Sequence, residues 1–258
     1  MSRVKTLLKQ DPSFLHSTLI PPSTRKPILK TLNPELDRKL GDGLVLPTLA
    51  LIEGPNDSGK SVLCYQLCHG ALSIGFKVCF VTTEQSIKGL INAMEGLNFN
   101  VKYHFLAGNL KVIELHVEGL KWSKEVSKQY LNILYKYMDI TSKKYQIFFI
   151  DSLTYIITNA DREDILNFFT SILNLTERGS SIFITLHDYA LDQDLMIRIR
   201  SICDTHIVLS VKEVGGKIMR LLKILKAKGV EKTADSVIGF EIDPAFGLKV
   251  LPFSQARI

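Results

Sequence analysis

An α/β fold, with a mainly parallel twisted sheet flanked by helices and a C-terminal run of antiparallel hairpins, is what this 258-residue chain predicts. Three observations point there. From about residue 28 onward, apolar runs of strand length alternate with helical patterns, the signature of parallel strands joined by crossover helices. The stretch Gly54-Pro55-Asn56-Asp57-Ser58-Gly59-Lys60-Ser61 stands between an apolar run and an apolar-periodic one, the strand–loop–helix setting of a phosphate-binding loop. In the last third, strands follow one another through short turns, which only antiparallel pairing allows.

The elements follow in order. Residues 1–27 read as an N-terminal extension, because Pro21, Pro22 and Pro27 break any helix there, and 28–258 read as one domain. The run 49–52 is a buried strand, and Leu63, Leu67, Ala71 and Leu72 mark the helix after the glycine-rich loop. A strand over 77–82 leads to a helix carrying Leu90, Ile91 and Met94. Alternation over 111–117 gives a third strand, and a long amphipathic helix spans about 123–138. The run 146–151 is apolar on both faces and therefore central. A helix near 164–177, ended at Gly179, leads to a strand over 181–186. Strands over 205–212, 217–226, 238–243 and 248–251 complete the chain, turning at Gly215-Gly216 and at 244–247.

Composition narrows the class without deciding it. With 46% hydrophobic and 22% charged residues the chain buries an ordinary globular core. A net charge of +6 permits nucleic acid or an anionic membrane surface, but no Lys/Arg block marks a patch. The four cysteines include no CxxC pair, and Cys64 and Cys68 fall on an apolar helix face, so the expectation is reduced, packed thiols in a cytoplasmic protein. Charges interrupt Val4, Leu7 and Leu8, so neither a signal peptide nor a spanning segment is expected.

The chemistry concentrates at three places. In 54–61 every fixed position of a Walker A loop is met: glycines 54 and 59 let successive N–H groups face one anion, and the helix starting near Lys60 adds its positive pole. Gly54, Asn56, Asp57, Ser58, Gly59, Lys60, Ser61 and Val62 are thus the expected nucleotide-binding residues. Lys60 is assigned to the β- and γ-phosphates and Ser61 to Mg²⁺. Asp151, ending a central strand, is the expected Walker B acid, holding Mg²⁺ through water. Glu84, ending the strand from 77, can orient or deprotonate a water for in-line attack, or it can cap the helix that follows. Trp122 is read as core, with partner anchoring as the alternative.

The entry segment Leu36-Asp37-Arg38-Lys39-Leu40-Gly41-Asp42-Gly43, the P-loop, Thr82-Thr83-Glu84, Asp151 and the ending Gly239 to Pro244 with Gly247 to Val250 together resemble RecA-type ATPases of the KaiC/RadA branch. The resemblance covers about 28–251. Within the branch it is most similar to the ATP-binding accessory proteins of the archaeal flagellum (archaellum) motor. It implies a RecA-like fold, ATP and Mg²⁺ as ligands, and a ring, hexameric in such proteins. It also implies docking to a motor ATPase beneath a membrane platform, hence a place at the inner face of the cell membrane. By position it makes Glu84 the catalytic glutamate. Lys226 and Lys228 stand where KaiC-like rings carry a Lys-x-Arg pair reaching a neighbour's nucleotide, and His187 stands where recombinases carry a phosphate-sensing glutamine. The turn 243–247 stands where a base is cradled.

Three departures qualify that picture. A neutral Gln85 follows Glu84 where two acids are usual, Lys228 replaces arginine and loses its bidentate fork, and His187 replaces glutamine. They point to a nucleotide-binding switch with slow or negligible hydrolysis in isolation. Two other functions compete on the same fold: a RadA-like DNA recombinase paralogue and a single-module KaiC-like signalling ATPase or autokinase. Against the first stands a short acidic segment, Tyr189 to Asp194, where a basic DNA loop belongs. Against the second stands the single module.

Overall fold

The computed structural model describes residues 26–115, 122–214, 216–229 and 237–251. The expected extension up to residue 25, His116 and Val117 of the third strand, Gly215 of the hairpin turn and the domain's last seven residues lie outside them.

Four short pieces open the described chain: β1 (Ile28–Leu29), α1 (Pro34–Lys39), β2 (Leu44–Val45) and β3 (Leu49–Glu53). The parallel core continues with α2 (Lys60–Ser73), β4 (Val78–Thr82), α3 (Ile87–Gly96), α4 (Lys102–Leu106) and β5 (Leu110–Glu114). Next come α5 (Lys124–Thr141), β6 (Ile147–Asp151), α6 (Thr154–Ile157), α7 (Arg162–Glu177) and β7 (Ser181–Leu186). Last are α8 (Gln193–Ile202), β8 (Thr205–Val214), β9 (Lys217–Lys226), β10 (Ile238–Asp243) and β11 (Gly247–Val250).

Among the described residues these strands make one nine-stranded sheet in the order β11-β10-β9-β8-β3-β7-β6-β4-β5, with β1 and β2 pairing separately. The pairs from β8 through β3, β7, β6 and β4 to β5 are parallel. The pairs β8–β9, β9–β10 and β10–β11 are antiparallel. The expected fold class is therefore what the structure shows.

Strand alternation explains the two-sided core. Ala50, Ile52, Phe80, Phe149 and Phe183 face one cluster, which α2 and the C-terminal strands cover. Leu49, Leu51, Phe148, Ile150 and Ile184 face the other, covered by α5, α7 and α8. On the first face Phe80, Phe149 and Phe183 stack across three neighbouring strands, with ring centroids 5.5 and 4.8 Å apart. Such offset stacking adds geometric preference to area burial and fixes the register of β4, β6 and β7. All four cysteines are buried and free, and Trp122 packs partly buried against the second cluster, 5.3 Å from the Tyr130 ring. No described helix is long and apolar enough to cross a membrane.

Six elements escaped the sequence reading, β1, α1, β2, α4, α6 and α8, of which α8 is the longest. The acidic stretch after β7 includes Asp192, whose carboxylate accepts from Leu195 N at 3.0 Å and caps α8, and it runs on into the helix at Asp194. An acid read as loop was an N-cap, a role Asp fills as readily as it fills turns.

Candidate nucleotide-binding site

Parallel strands present their carboxyl ends along one edge of the sheet, where open α/β folds bind ligands. There β3 ends at Glu53 and the chain turns through Gly54 to Gly59 into α2. The loop is held tightly. Gly54 N donates to Leu186 O at 3.2 Å, so the turn starts against the end of β7. On its other side a Cβ at Gly54 would lie 2.3 Å from the Leu209 carbonyl oxygen of β8, a contact only glycine avoids. Gly59 takes φ +96° as the residue before α2, against the Phe240 ring.

The loop borders a cleft of about 440 Å³, lined by Asn56 to Val62 together with Glu84, Gln85, Asp151, His187, Arg220 and Ile242. The expected Walker A residues other than Gly54 thus share one cavity wall with the expected acids and His187. Lys60 is buried, and its Nζ donates to the carbonyls of Gly54 at 2.9 Å and Pro55 at 2.7 Å. Burial pushes its ammonium below the usual lysine value, while the Asp151 and Glu84 charges oppose that shift. Ser58 Oγ is buried without a partner among the described residues.

Asp151 accepts from Thr185 Oγ1 at 2.6 Å and from the Ser61 hydroxyl. Burial nonetheless raises its carboxyl above the ordinary aspartate value, with the Glu84 charge adding to the rise. A buried carboxylate touching the P-loop serine is a hard-oxygen donor set of the kind Mg²⁺ takes, so the residues present fit that ion. Next to it, Thr83 N donates to Asp151 O at 3.0 Å, and the Thr83 hydroxyl lies between Ser152 N and Ser152 O at 3.1 and 2.9 Å. That clamp ties the ends of β4 and β6 together and so fixes Glu84 relative to Asp151.

Glu84 does not cap α3. Ser86 does, its hydroxyl accepting from Gly89 N at 3.0 Å, while Glu84 Oε1 accepts from Ser152 Oγ at 2.8 Å. His187 follows β7, its ring Nδ1 3.0 Å from Thr154 Oγ1 and stacked on Tyr189 at 5.2 Å. Burial, and after it the Lys60 charge, hold its imidazole below the usual value and therefore neutral at physiological pH.

Lys226 and Lys228 lie elsewhere. β9 runs back toward the start of the parallel strands, so Lys226 Nζ donates to Cys203 O at 2.5 Å and Lys228 pairs with Asp204 at 3.1 Å. Asp204 also accepts from Leu49 N, at the foot of β3. Both ammonium groups are thus engaged within the chain, at the end of the sheet opposite this chain's own cleft. The turn after Asp243 likewise faces away: Gln66 Oε1 accepts from Leu248 N at 3.0 Å, and Ala245 and Phe246 line a separate cavity with Phe99. Only Ile242, just before the turn, reaches the cleft.

Two features had gone unnoticed. Arg220 on β9 lines the cleft and donates from Nε to Asp57 O at 2.8 Å. Its signal was a lone arginine among apolar strand residues. Beneath the loop, buried Glu53 accepts from His206 Nε2 at 2.8 Å and from Arg200 Nη2 at 2.9 Å. Burial pushes the Glu53 carboxyl up, but hydrogen bonds and charge from His206 and Arg200 outweigh it and hold the value below the ordinary 4.5. Because the folded-state value lies below the unfolded one, Glu53 contributes stability above about pH 4.5 that is lost as pH falls through the folded value. Glu53→Gln should therefore lower unfolding free energy at pH 7 by about 2 kcal/mol, discounted because Arg200 is partly exposed. The deficit should shrink as pH falls below 4, as read by urea midpoints; a deficit that stays constant well below pH 4 would remove the ion pair as its cause.

A glycine-rich loop at the end of a buried strand, an acid ending a strand two places along the sheet and bonded to the loop's serine, and this strand order define a RecA-like nucleotide-binding fold. Comparison agrees. The family described as ATPase: KaiC matches residues 29–255, and the chain belongs to that family. It is 32% identical over 230 residues to the archaeal flagellar ATP-binding protein FlaH of Sulfolobus acidocaldarius, covering 89% of this chain and 99% of that one. FlaH of Methanocaldococcus jannaschii is 28% identical over 84% of this chain and 91% of its own length. The crystal structure of that archaeon's flagellar accessory protein FlaH superposes with a TM-score of 0.73 at 24% identity, over 88% of this chain and all of that one. A DNA repair protein RadA of Rickettsia bellii matches only 29% of this chain, at 40% identity.

Proposed function

We propose that this chain is the ATP-binding component of an archaellum motor, whose nucleotide state controls assembly into a ring and docking to the motor ATPase beneath the membrane platform. The observation that carries the nucleotide half is the single cleft bringing Lys60, Ser61, Asp151 and Glu84 together. The likeness to FlaH proteins over nearly their whole length supports the motor half. The P-loop amides and Lys60 hold the phosphates, and Ser61 and, through water, Asp151 hold Mg²⁺. When bound there, Mg²⁺ would supply charge neutralisation to the phosphates. Glu84 orients a water, and His187, neutral and aimed at the same cavity, senses the terminal phosphate. Loops bearing these groups take one arrangement with triphosphate and another without it, and ring contacts follow.

Hydrolysis in isolation is slow. Glu84 is engaged by Ser152, no second acid follows it, and the cleft receives no residue from Lys226 or Lys228 of the same chain. If those lysines serve a neighbour's nucleotide, the neighbour's cleft meets the foot of this sheet and their in-chain bonds open. Steady-state phosphate release on purified protein should stay below roughly one per second, with ring formation dependent on Mg-ATP. Faster release with no change in molecular mass would overturn the switch reading. The partial RadA match keeps one rival measurable: DNA binding that falls steeply with salt would favour a recombinase relative.

A further inference from the structure

We infer that Arg220 is a nucleotide-binding residue contributed by this chain's own β8–β9 ribbon, contacting the sugar and α-phosphate end of the ligand while Val62 and Ile242 bed its base. The inference deepens the nucleotide reading above and rests on it. Strand order sets the direction in which a nucleotide must lie. The groups suited to the terminal phosphates and their ion, Glu84, Asp151 and His187, stand at the carboxyl ends of β4, β6 and β7, on one side of the P-loop strand β3. Arg220 and Ile242 come from β9 and β10, on the other side. A ligand with its terminal phosphate at Asp151 therefore extends its sugar and base toward Arg220.

Register explains how a late strand reaches the loop. Glu53, the last residue of β3, pairs with Val208, and β8 runs on beyond that level. Arg220 pairs with Val211 on one side and Phe240 on the other, so it stands above the sheet's edge. Paired residues share a face, and on that face the Phe240 ring and Ile242 pack over Gly59. The ribbon thus leans over the P-loop, with one arginine among apolar neighbours.

The guanidinium itself is oriented. Its Nε bond to the Asp57 carbonyl is its one hydrogen bond among the described residues. The two terminal amines are left at the cleft wall, half-buried, as donors suited to phosphate or sugar oxygens. A purely structural arginine would need only the Asp57 bond. The cavity supplies the rest of the subsite: Val62 on α2 and Ile242 are its aliphatic lining, suited to the face of a flat base.

Such a contact is made equally with di- and triphosphates, and that separates it from the acids. Arg220→Met keeps the side-chain stem, and Arg220→Lys keeps one charge without the fork. Titration of parent and variants with ATP and with ADP, each with Mg²⁺, should show Arg220→Met weakening both by the same factor, about tenfold or more. Arg220→Lys should lie between, and melting of the nucleotide-free variants should match the parent. Parent-like affinity of Arg220→Met for both nucleotides would overturn the inference and leave the nucleotide site standing. So would a loss confined to ATP, which would place Arg220 at the γ-phosphate instead. A parent that binds neither nucleotide would overturn the proposed function itself.

Discussion

Lys60→Ala should lower affinity for Mg-ATP by about a hundredfold or more, the range expected when one partner of a desolvated charge pair is truncated. The reasoning starts from burial. Lys60 is 6% exposed, and desolvation drives its ammonium below the usual lysine value, so burial works against the charge it carries. Two carbonyls, those of Gly54 and Pro55, satisfy it in the meantime. A bound phosphate offers that charge its natural partner, and the affinity comes from the difference. Stability without nucleotide should move little, within about 1 kcal/mol, because losing two hydrogen bonds is offset by losing a buried charge. Calorimetric titration and melting of the same two proteins read both effects. Retained affinity in the variant would mean that the phosphates bind elsewhere; a large loss of apo stability would make Lys60 a structural residue first.

The candidate phosphate loop stood out in the sequence because its chemistry is local. Gly54, Gly59, Lys60 and Ser61 are neighbours in the chain, and the strand and helix flanking them have their own patterns. Asp151 stood out as a candidate for a related reason, since an apolar run ending in an acid is a feature of one strand. Positions set by pairing between distant strands were not. Arg220 reaches the loop only because β8 overshoots β3 and β9 folds back beside it, a register that no window of sequence contains. The same hairpin carries Lys226 and Lys228 away from the cleft: chain order placed them on a late strand, and antiparallel descent sets them at the foot of the sheet. Glu53 reads as the unremarked residue before a glycine until β8 supplies His206 and α8 supplies Arg200.

Gly54→Ala should destabilise the protein by about 2–4 kcal/mol and abolish measurable nucleotide binding. The added methyl group would sit 2.3 Å from Leu209 O, 3.0 Å from Leu209 C and 3.0 Å from Ser58 Oγ. The first two are backbone atoms of a central strand, and Leu209 is wholly buried between β3 and β9. Retreat is therefore blocked: moving Leu209 disturbs the β8–β9 pairing at Leu222, and moving Gly54 stretches its bond to Leu186 O. Either displacement shifts the loop that must aim its amides at phosphate, so stability and affinity fall together. Gly96→Ala is the matched control. That glycine ends α3 with nothing within 4 Å of its Cβ position, and alanine there should be neutral or stabilising by up to about 1 kcal/mol. Urea midpoints for both variants decide the matter: equal midpoints would mean that β8 does not press on the P-loop, and the close approach that orders this site would have to be abandoned.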